Sequence, residues 1–107
     1  MLIRNIWEEN EIERPEEKLL VDEHEAETIA LGYVSKALGE KTVEGFHDDE
    51  EEIYVILKGT AILELGDETA EVKPGSVVYV PRNTRHQMTC TSEEKLEYLY
   101  FANWPKE

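Results

Sequence analysis

Two histidines and one glutamate are the residues of this chain whose types best suit chemistry. His47 precedes an acidic run, Glu52 closes that run and begins an apolar segment, and His86 follows a turn much later in the chain. Imidazole nitrogens and carboxylate oxygens are common ligands of divalent transition metals. Two histidines and one carboxylate on one side of an ion leave positions open for water or substrate, which is typical of catalytic sites. The three residues therefore predict a metal site.

Each of these residues also has an ordinary structural explanation. A histidine near a strand end usually only makes hydrogen bonds, and a glutamate in an acidic run is usually solvated. Glu52, however, directly precedes an apolar strand, and a carboxylate inside a protein needs a cation or a raised pKa. By contrast, His24 lies among charges in residues 22–27, and we interpret it as an exposed histidine.

The spacing around these residues resembles the two motifs of the cupin superfamily. The first motif runs Gly, five residues, His, one residue, His, three or four residues, Glu, six residues, Gly. The chain matches it at Gly39, Gly45, His47, Glu52 and Gly59, with Gly45 in place of the first histidine.

The second motif of the family runs Gly, five residues, Pro, one residue, Gly, two residues, His, three residues, Asn. The chain has Gly75, Pro81, Asn83, His86 and Cys90 at these spacings. Asn83 stands where the family has a turn glycine, and asparagine tolerates that conformation. Cys90 replaces the final asparagine. The resemblance spans residues 39–90, and Gly45, Asn83 and Cys90 are the three positions that differ from the motif residues.

The resemblance implies an all-β jelly-roll barrel in which the two motif hairpins face each other. It also implies one divalent ion, Fe, Mn, Ni, Zn or Co, bound by His47, Glu52 and His86, with a small-molecule ligand and a homodimer. Because Gly45 offers no ligand atom, the four protein ligands of the family fall to three. With one ligand fewer, a cupin barrel whose metal site is degenerate or absent is the alternative.

Residues with the same strand parity as the expected ligands should share their face of the sheet. This argument assigns four residues to the ligand pocket, namely Gly45, Tyr54, Met88 and Cys90. Tyr54 is suited to orienting a substrate or moving a proton. For Met88 and Cys90 core packing is the competing interpretation, and Cys90 is better explained as a small buried hydrophobe than as a nucleophile.

Eight to ten short strands separated by turn residues are expected along one domain, residues 1–107. We predict an N-terminal arm over residues 1–27 that contains a strand at 2–7, and a barrel over residues 28–104. Within the barrel, strands are expected at residues 28–38, 41–47, 52–58, 86–90 and 95–104. The Gly66-Asp67 pair predicts a type II′ hairpin, and residues 76–80 predict a strand buried on both faces.

Composition narrows the function classes. With 107 residues, of which 40% are hydrophobic, the chain suits one core, and its net charge of −14 disfavours nucleic acids and anionic membranes as partners. No apolar run is long enough to span a membrane. Cys90 is the only cysteine, so no intrachain disulfide can form, which together with the lack of a signal-peptide pattern suggests the cytoplasm.

The leading hypothesis is a metal-dependent enzyme that acts on a small polar or anionic molecule. Its reaction type stays open among oxygenase, isomerase, decarboxylase and lyase chemistry. The alternative is a binding or sensing cupin without catalysis, with a degenerate or absent metal site. A barrel filled with apolar side chains and without any site is the third possibility.

Overall fold

The computed structural model describes residues 1–8, 13–14, 17–45 and 48–104. Nine strands and no helix occur in these ranges, so none of the described residues belongs to a helix that could cross a membrane. The strands are β1 (Glu13–Arg14), β2 (Glu17–Val21), β3 (Ile29–Lys36), β4 (Glu51–Lys58), β5 (Ala61–Leu65), β6 (Glu68–Val72), β7 (Val77–Val80), β8 (His86–Cys90) and β9 (Leu96–Asn103). The predicted all-β class is confirmed.

Two antiparallel sheets make up the fold. The larger sheet has the order β1-β2-β3-β9-β4-β7 and the smaller has the order β6-β5-β8. Both sheets contribute to one apolar core, to which β4 supplies Ile56, β5 supplies Leu63 and β8 supplies Met88. The long-range pairing of β3, β9 and β4, together with this shared core, is consistent with the jelly roll that was expected.

Two predicted turns have the backbone conformation that their sequences require. Gly66 has a φ of 59° between β5 and β6, and Asp67 has no positive φ, which is the φ pattern of a type II′ turn. Asn83 has a φ of 59° just ahead of β8. Asn83 therefore adopts the left-handed backbone conformation for which the family motif has a glycine.

Two expectations about strands were wrong. Residues 2–7 form no strand; instead, the side chain of Arg4 donates to the carbonyl oxygen of Leu20 at 2.8 Å and ties the segment to β2. Within residues 41–45 the chain makes only isolated bridges, Lys41 with Thr89 and Gly45 with His86. The predicted arm also contains β2, which pairs with β3 as a full member of the larger sheet.

The strand expected to be buried on both faces is an edge strand. β7 pairs only with β4, and its side chains Val77 and Tyr79 are 68% and 54% exposed. Only Val78 and Val80 point toward the core. An unbroken apolar run therefore did not mean burial here, because no second sheet or helix covers the outer face among the described residues.

Candidate metal centre

Glu52 and His86 meet between the two sheets. Glu52 is the second residue of β4 and His86 is the first residue of β8, and their Oε1 and Nε2 atoms lie 3.5 Å apart. Both residues are buried, with 7% and 6% of their surfaces exposed. Their strands alternate in the way the sequence predicts, so Ile56 and Met88, which share their faces, are buried as well.

A backbone contact sets the orientation of the His86 ring. Its Nδ1 atom lies 3.0 Å from the carbonyl oxygen of Thr84. Because a carbonyl oxygen can only accept, Nδ1 carries the hydrogen and donates it. In the neutral ring, Nε2 then carries the lone pair, and this atom faces the carboxylate of Glu52. Two acceptor atoms at this distance require a proton or a cation between them.

The surroundings of Glu52 make its ionised form costly. Burial, and secondly the negative charge of Glu50, raise the pKa of Glu52 from 4.5 to about 7. Below about pH 7 the carboxyl group therefore mostly holds a proton, unless a cation compensates for the lost hydration. A divalent ion would supply that compensation.

The distance between the two ligand atoms suits one shared ion. Donor atoms that each lie about 2.1 Å from a tetrahedral ion are roughly 3.4 Å apart, and the observed separation is 3.5 Å. The hydrogen bond from Nδ1 to a carbonyl is also the outer contact that metal-binding histidines usually make. The third expected ligand, His47, lies outside the described residues.

Gly45 is packed against His86 and leaves no room for a side chain. The two residues exchange backbone hydrogen bonds of 2.9 and 3.0 Å. A Cβ atom at position 45 would lie only 2.4 Å from Nε2 of His86. The imidazole of His86 therefore occupies the space that a first motif histidine would need, which gives the Gly45 departure a steric reason.

A cavity of about 550 Å³ opens onto this pair. Tyr54 lines this cavity, with its ring 5.3 Å from that of Tyr98 and 6.1 Å from the imidazole of His86. Burial, followed by the charge of Glu52, raises the pKa of Tyr54 far above its usual range. Tyr54 is therefore a neutral phenol at physiological pH, able to donate a hydrogen bond but not to act as a ready base.

Met88 and Cys90 lie in the apolar core and not along the cavity wall. Each is only 1% exposed, and neither is among the residues that line the cavity. Parity correctly assigned them to the inner face of β8. Each step of two residues, however, moves a side chain about 7 Å along a strand. Cys90 accordingly has the surroundings of a small buried hydrophobe.

Most of the residues that line the cavity were not anticipated from the sequence. Among them are Glu17 of β2, Lys36 of β3, and Tyr98 and Tyr100 of β9. The alternation along β9 could have predicted that the two tyrosines face inward, because they share strand parity with Leu96 and Ala102, which are buried. No sequence pattern predicted Glu17, because it lies in the predicted N-terminal arm, outside the expected barrel.

A second group of ligand-type residues lies on the surface. Asp22, Glu23 and His24 have ligand atoms within 4.8 Å of one another in the turn between β2 and β3. The side chain of His24 is 85% exposed, and its Nε2 atom lies 3.7 Å from Glu23. The interpretation of His24 as an exposed histidine is confirmed, and this group lacks the burial of the Glu52–His86 pair.

Comparisons with known proteins agree with this architecture. The sequence profile of the cupin domain family matches residues 32–101. The uncharacterized protein MJ1618 of Methanocaldococcus jannaschii is 41% identical over 62 residues, which are 58% of this chain and 50% of that protein. The chain thus spans about half the length of the curated relatives it matches.

Two solved structures show the same fold. A predicted oxalate decarboxylase from Thermotoga maritima superposes with a TM-score of 0.77 at 20% identity, covering 83% of this chain and 79% of that one. The polyketide cyclase RemF from Streptomyces resistomycificus has a TM-score of 0.70 at 28% identity, covering 81% of this chain and 63% of that one.

Proposed function

Because this chain belongs to the cupin family, we propose that it binds one divalent transition metal through His47, Glu52 and His86 and acts as an enzyme on a small molecule. Fe, Mn, Ni, Zn and Co are the candidate ions. The observation that carries the proposal is the buried Glu52–His86 pair, whose facing acceptor atoms are 3.5 Å apart. The spacing of His47 in the first motif supplies the third ligand.

The chemistry follows from the residues around the pair. When bound, the metal would act as a Lewis acid on an oxygen atom of the substrate. The neutral Tyr54 phenol would donate a hydrogen bond to the substrate and orient it. The burial of Glu52 and His86 lowers the effective dielectric constant around them, which strengthens each of these interactions. Oxygenase, isomerase, decarboxylase and lyase reactions all fit this arrangement.

The structural neighbours support a catalytic role for such a barrel. One bears the name of a decarboxylase and another that of a cyclase. A non-catalytic binding cupin is the second candidate, and the observation in its favour is Gly45. With no ligand atom at that position, the ion would have fewer protein ligands than the family motif provides.

Metal retention in matched histidine variants tests the proposal. We expect wild-type protein, purified without chelator, to carry close to one transition-metal ion per chain by elemental analysis. His86→Ala should lose the ion, whereas His24→Ala, which removes the exposed histidine, should retain it. Full retention by the His86 variant, or no retention of any candidate ion by the wild type after incubation, would count against the site.

The proposed homodimer has support from the outer face of the larger sheet. Tyr79, Ile53 and Phe101 form one cross-strand row and are 54%, 41% and 40% exposed. The neighbouring Glu51 accepts a hydrogen bond from Tyr79 and pairs with Arg82 at 3.3 Å, so this face is close to neutral in a chain of net charge −14. Two copies can therefore pack here without strong repulsion.

Sedimentation equilibrium tests this interface. We expect a dimer for the wild type and a monomer for Phe101→Glu, because the new carboxylate would be buried against the partner. A wild-type monomer, or a variant that still forms the same dimer, would rule the face out.

A further inference from the structure

The five tyrosines of the chain fall into two groups by what their hydroxyl groups contact. Three of them donate a hydrogen bond to a carboxylate, namely Tyr33 to Glu97, Tyr79 to Glu51 and Tyr100 to Glu17. Tyr54 and Tyr98 make ring contacts instead, and their hydroxyl groups have no hydrogen-bond partner among the residues that the structure describes. These two hydroxyl groups therefore have hydrogen-bonding capacity that the described part of the fold does not use.

Both of these tyrosines are buried at the boundary between the core and the cavity. Tyr54 is 6% exposed and Tyr98 is 4% exposed. They belong to the apolar core, and both also line the cavity of about 550 Å³, as Val34 does. Phenylalanine rings would pack against the core equally well, so core packing does not explain the two hydroxyl groups.

The charges that act on Tyr98 come from the cavity wall. Burial raises the pKa of Tyr98 above its usual range, and the next causes are the negative charges of Glu52 and Glu17. Both glutamates line the cavity. Tyr98 is therefore a neutral phenol that faces the same space as the proposed ligands, and it can donate a hydrogen bond there.

The tyrosine pair lies within a small molecule's length of the proposed metal. Tyr54 is two residues beyond Glu52 on β4, and Tyr98 is opposite Ile56 in the β4–β9 register. The rings of Tyr54 and His86 are 6.1 Å apart, and those of Tyr54 and Tyr98 are 5.3 Å apart. One ligand can therefore contact the metal and both phenols.

Unused hydroxyl groups on a cavity wall restrict what the cavity can bind. A buried polar group without a hydrogen bond costs free energy, and cavity water normally supplies the bond. A ligand that displaces such water loses affinity unless it replaces the hydrogen bonds. A preferred ligand therefore presents an acceptor atom to the phenols and not an alkyl group.

We propose that the hydroxyl groups of Tyr54 and Tyr98 both donate to one carbonyl-type group of the ligand, a ketone or a carboxylate, while the rest of the ligand extends toward the metal. The oxygen atoms of such a group have enough lone pairs to accept from two phenols. This inference rests on the proposed function for the identity of the site. It adds Tyr98 as a residue that determines specificity and names the chemical class of the substrate.

Three probes of similar shape test the inference. Acetophenone carries a ketone, benzoate carries a carboxylate, and α-methylstyrene has the shape of the ketone without its oxygen atom. Each is titrated into chelator-treated and zinc-loaded protein, and binding is followed by NMR chemical shifts. We expect Tyr98→Phe to weaken binding of at least one oxygen probe about fivefold, equivalent to about 1 kcal/mol for one hydrogen bond, and not to weaken binding of α-methylstyrene. The oxygen probe that loses more affinity identifies the group as ketone or carboxylate.

Tyr33→Phe is the matched control. It removes a hydroxyl group that donates to Glu97, and neither residue lines the cavity, so all three affinities should stay unchanged. Without any probe, this variant should lower the melting temperature by roughly 5 °C, because it loses a hydrogen bond to a carboxylate. Tyr98→Phe should lower it by less than about 2 °C or raise it, since no described residue loses a partner.

Three results overturn the inference: equal effects of Tyr98→Phe on the oxygen probes and on α-methylstyrene, no binding of any probe, or a loss of melting temperature as large as that of Tyr33→Phe. Metal content, measured on the same preparations, separates this failure from that of the proposed function. An ion lost only in His86→Ala, with no effect of Tyr98→Phe on any probe, sinks the tyrosine inference alone. Weaker acetophenone or benzoate binding by Tyr98→Phe, in protein that never retains metal, sinks the metal proposal alone.

Discussion

Replacing Glu52 with glutamine in metal-free protein should change how stability depends on pH. Burial raises the pKa of this carboxyl group from 4.5 to about 7 in the folded chain. Below about pH 4 it is protonated in the folded and unfolded states, and it contributes nothing to the pH dependence. As the pH rises above about 4, the Glu52 carboxyl group ionises in the unfolded state before it ionises in the folded state. The free energy of unfolding therefore falls until the pH passes about 7, where the group is ionised in both states.

The size of this effect follows from the two pKa values. The gap between 4.5 and 7 corresponds to about 3 kcal/mol. Urea unfolding of chelator-treated wild type and Glu52→Gln, measured from about pH 4 to pH 8.5, gives the difference between their unfolding free energies. We expect that difference to move by about 3 kcal/mol in favour of the variant across this range, because glutamine does not titrate.

Glu64→Gln is the matched control, since it removes an exposed carboxylate on the smaller sheet. Its difference from wild type should stay nearly flat over the same range. A flat curve for the Glu52 variant as well would refute the reasoning, because it would mean that Glu52 is ionised in the folded chain at no cost.

Three further predictions concern substitutions whose effects follow from contacts and burial in the structure. Gly45→Ala should lower metal affinity at least tenfold in a metal titration and cost roughly 1–3 kcal/mol in urea unfolding, because its Cβ would lie 2.4 Å from the imidazole of the metal pair. Arg4→Ala should destabilise the chain above about pH 4.5, and its difference from the wild type should shrink as the pH falls toward 2: a hydrogen bond from Arg4 lowers the pKa of Glu25 to about 2, and the stabilisation that this gives the wild type is lost over that range. Acid titration followed by tyrosine fluorescence would detect this, and identical wild-type and variant curves would contradict it. Ile56→Ala should cost about 2–5 kcal/mol in urea unfolding, since Ile56 is 1% exposed, whereas Leu38→Ala, at 56% exposure and outside the proposed dimer interface, should cost roughly 1 kcal/mol; equal losses would contradict the assigned burial of Ile56.

Local chemistry made much of the fold predictable. Turn residues need particular backbone angles, so Gly66 and Asn83 could be placed in turns before any contact was known. Strict alternation assigned Glu52 and His86 to the inner faces of their strands. These inferences succeeded because each depends on a few neighbouring residues.

The remaining features depend on which strands become neighbours. Val77 is exposed because β7 is the last strand of its sheet, and its apolar sequence carries no record of that position. Glu17 reaches the cavity wall only because β2 pairs with β3 and the Tyr100 ring lies across Gly32. Neither contact leaves a local pattern, since the partners are far apart in the chain.

The sequence by itself determined the fold class, the turn positions and the types of the candidate ligands, because strand period and motif spacing are local properties. Tertiary structure alone decided that Glu52 and His86 face each other at 3.5 Å and that Tyr98 lines the cavity beside them. Packing two sheets against each other sets those distances and that lining, and packing is a property of the whole chain.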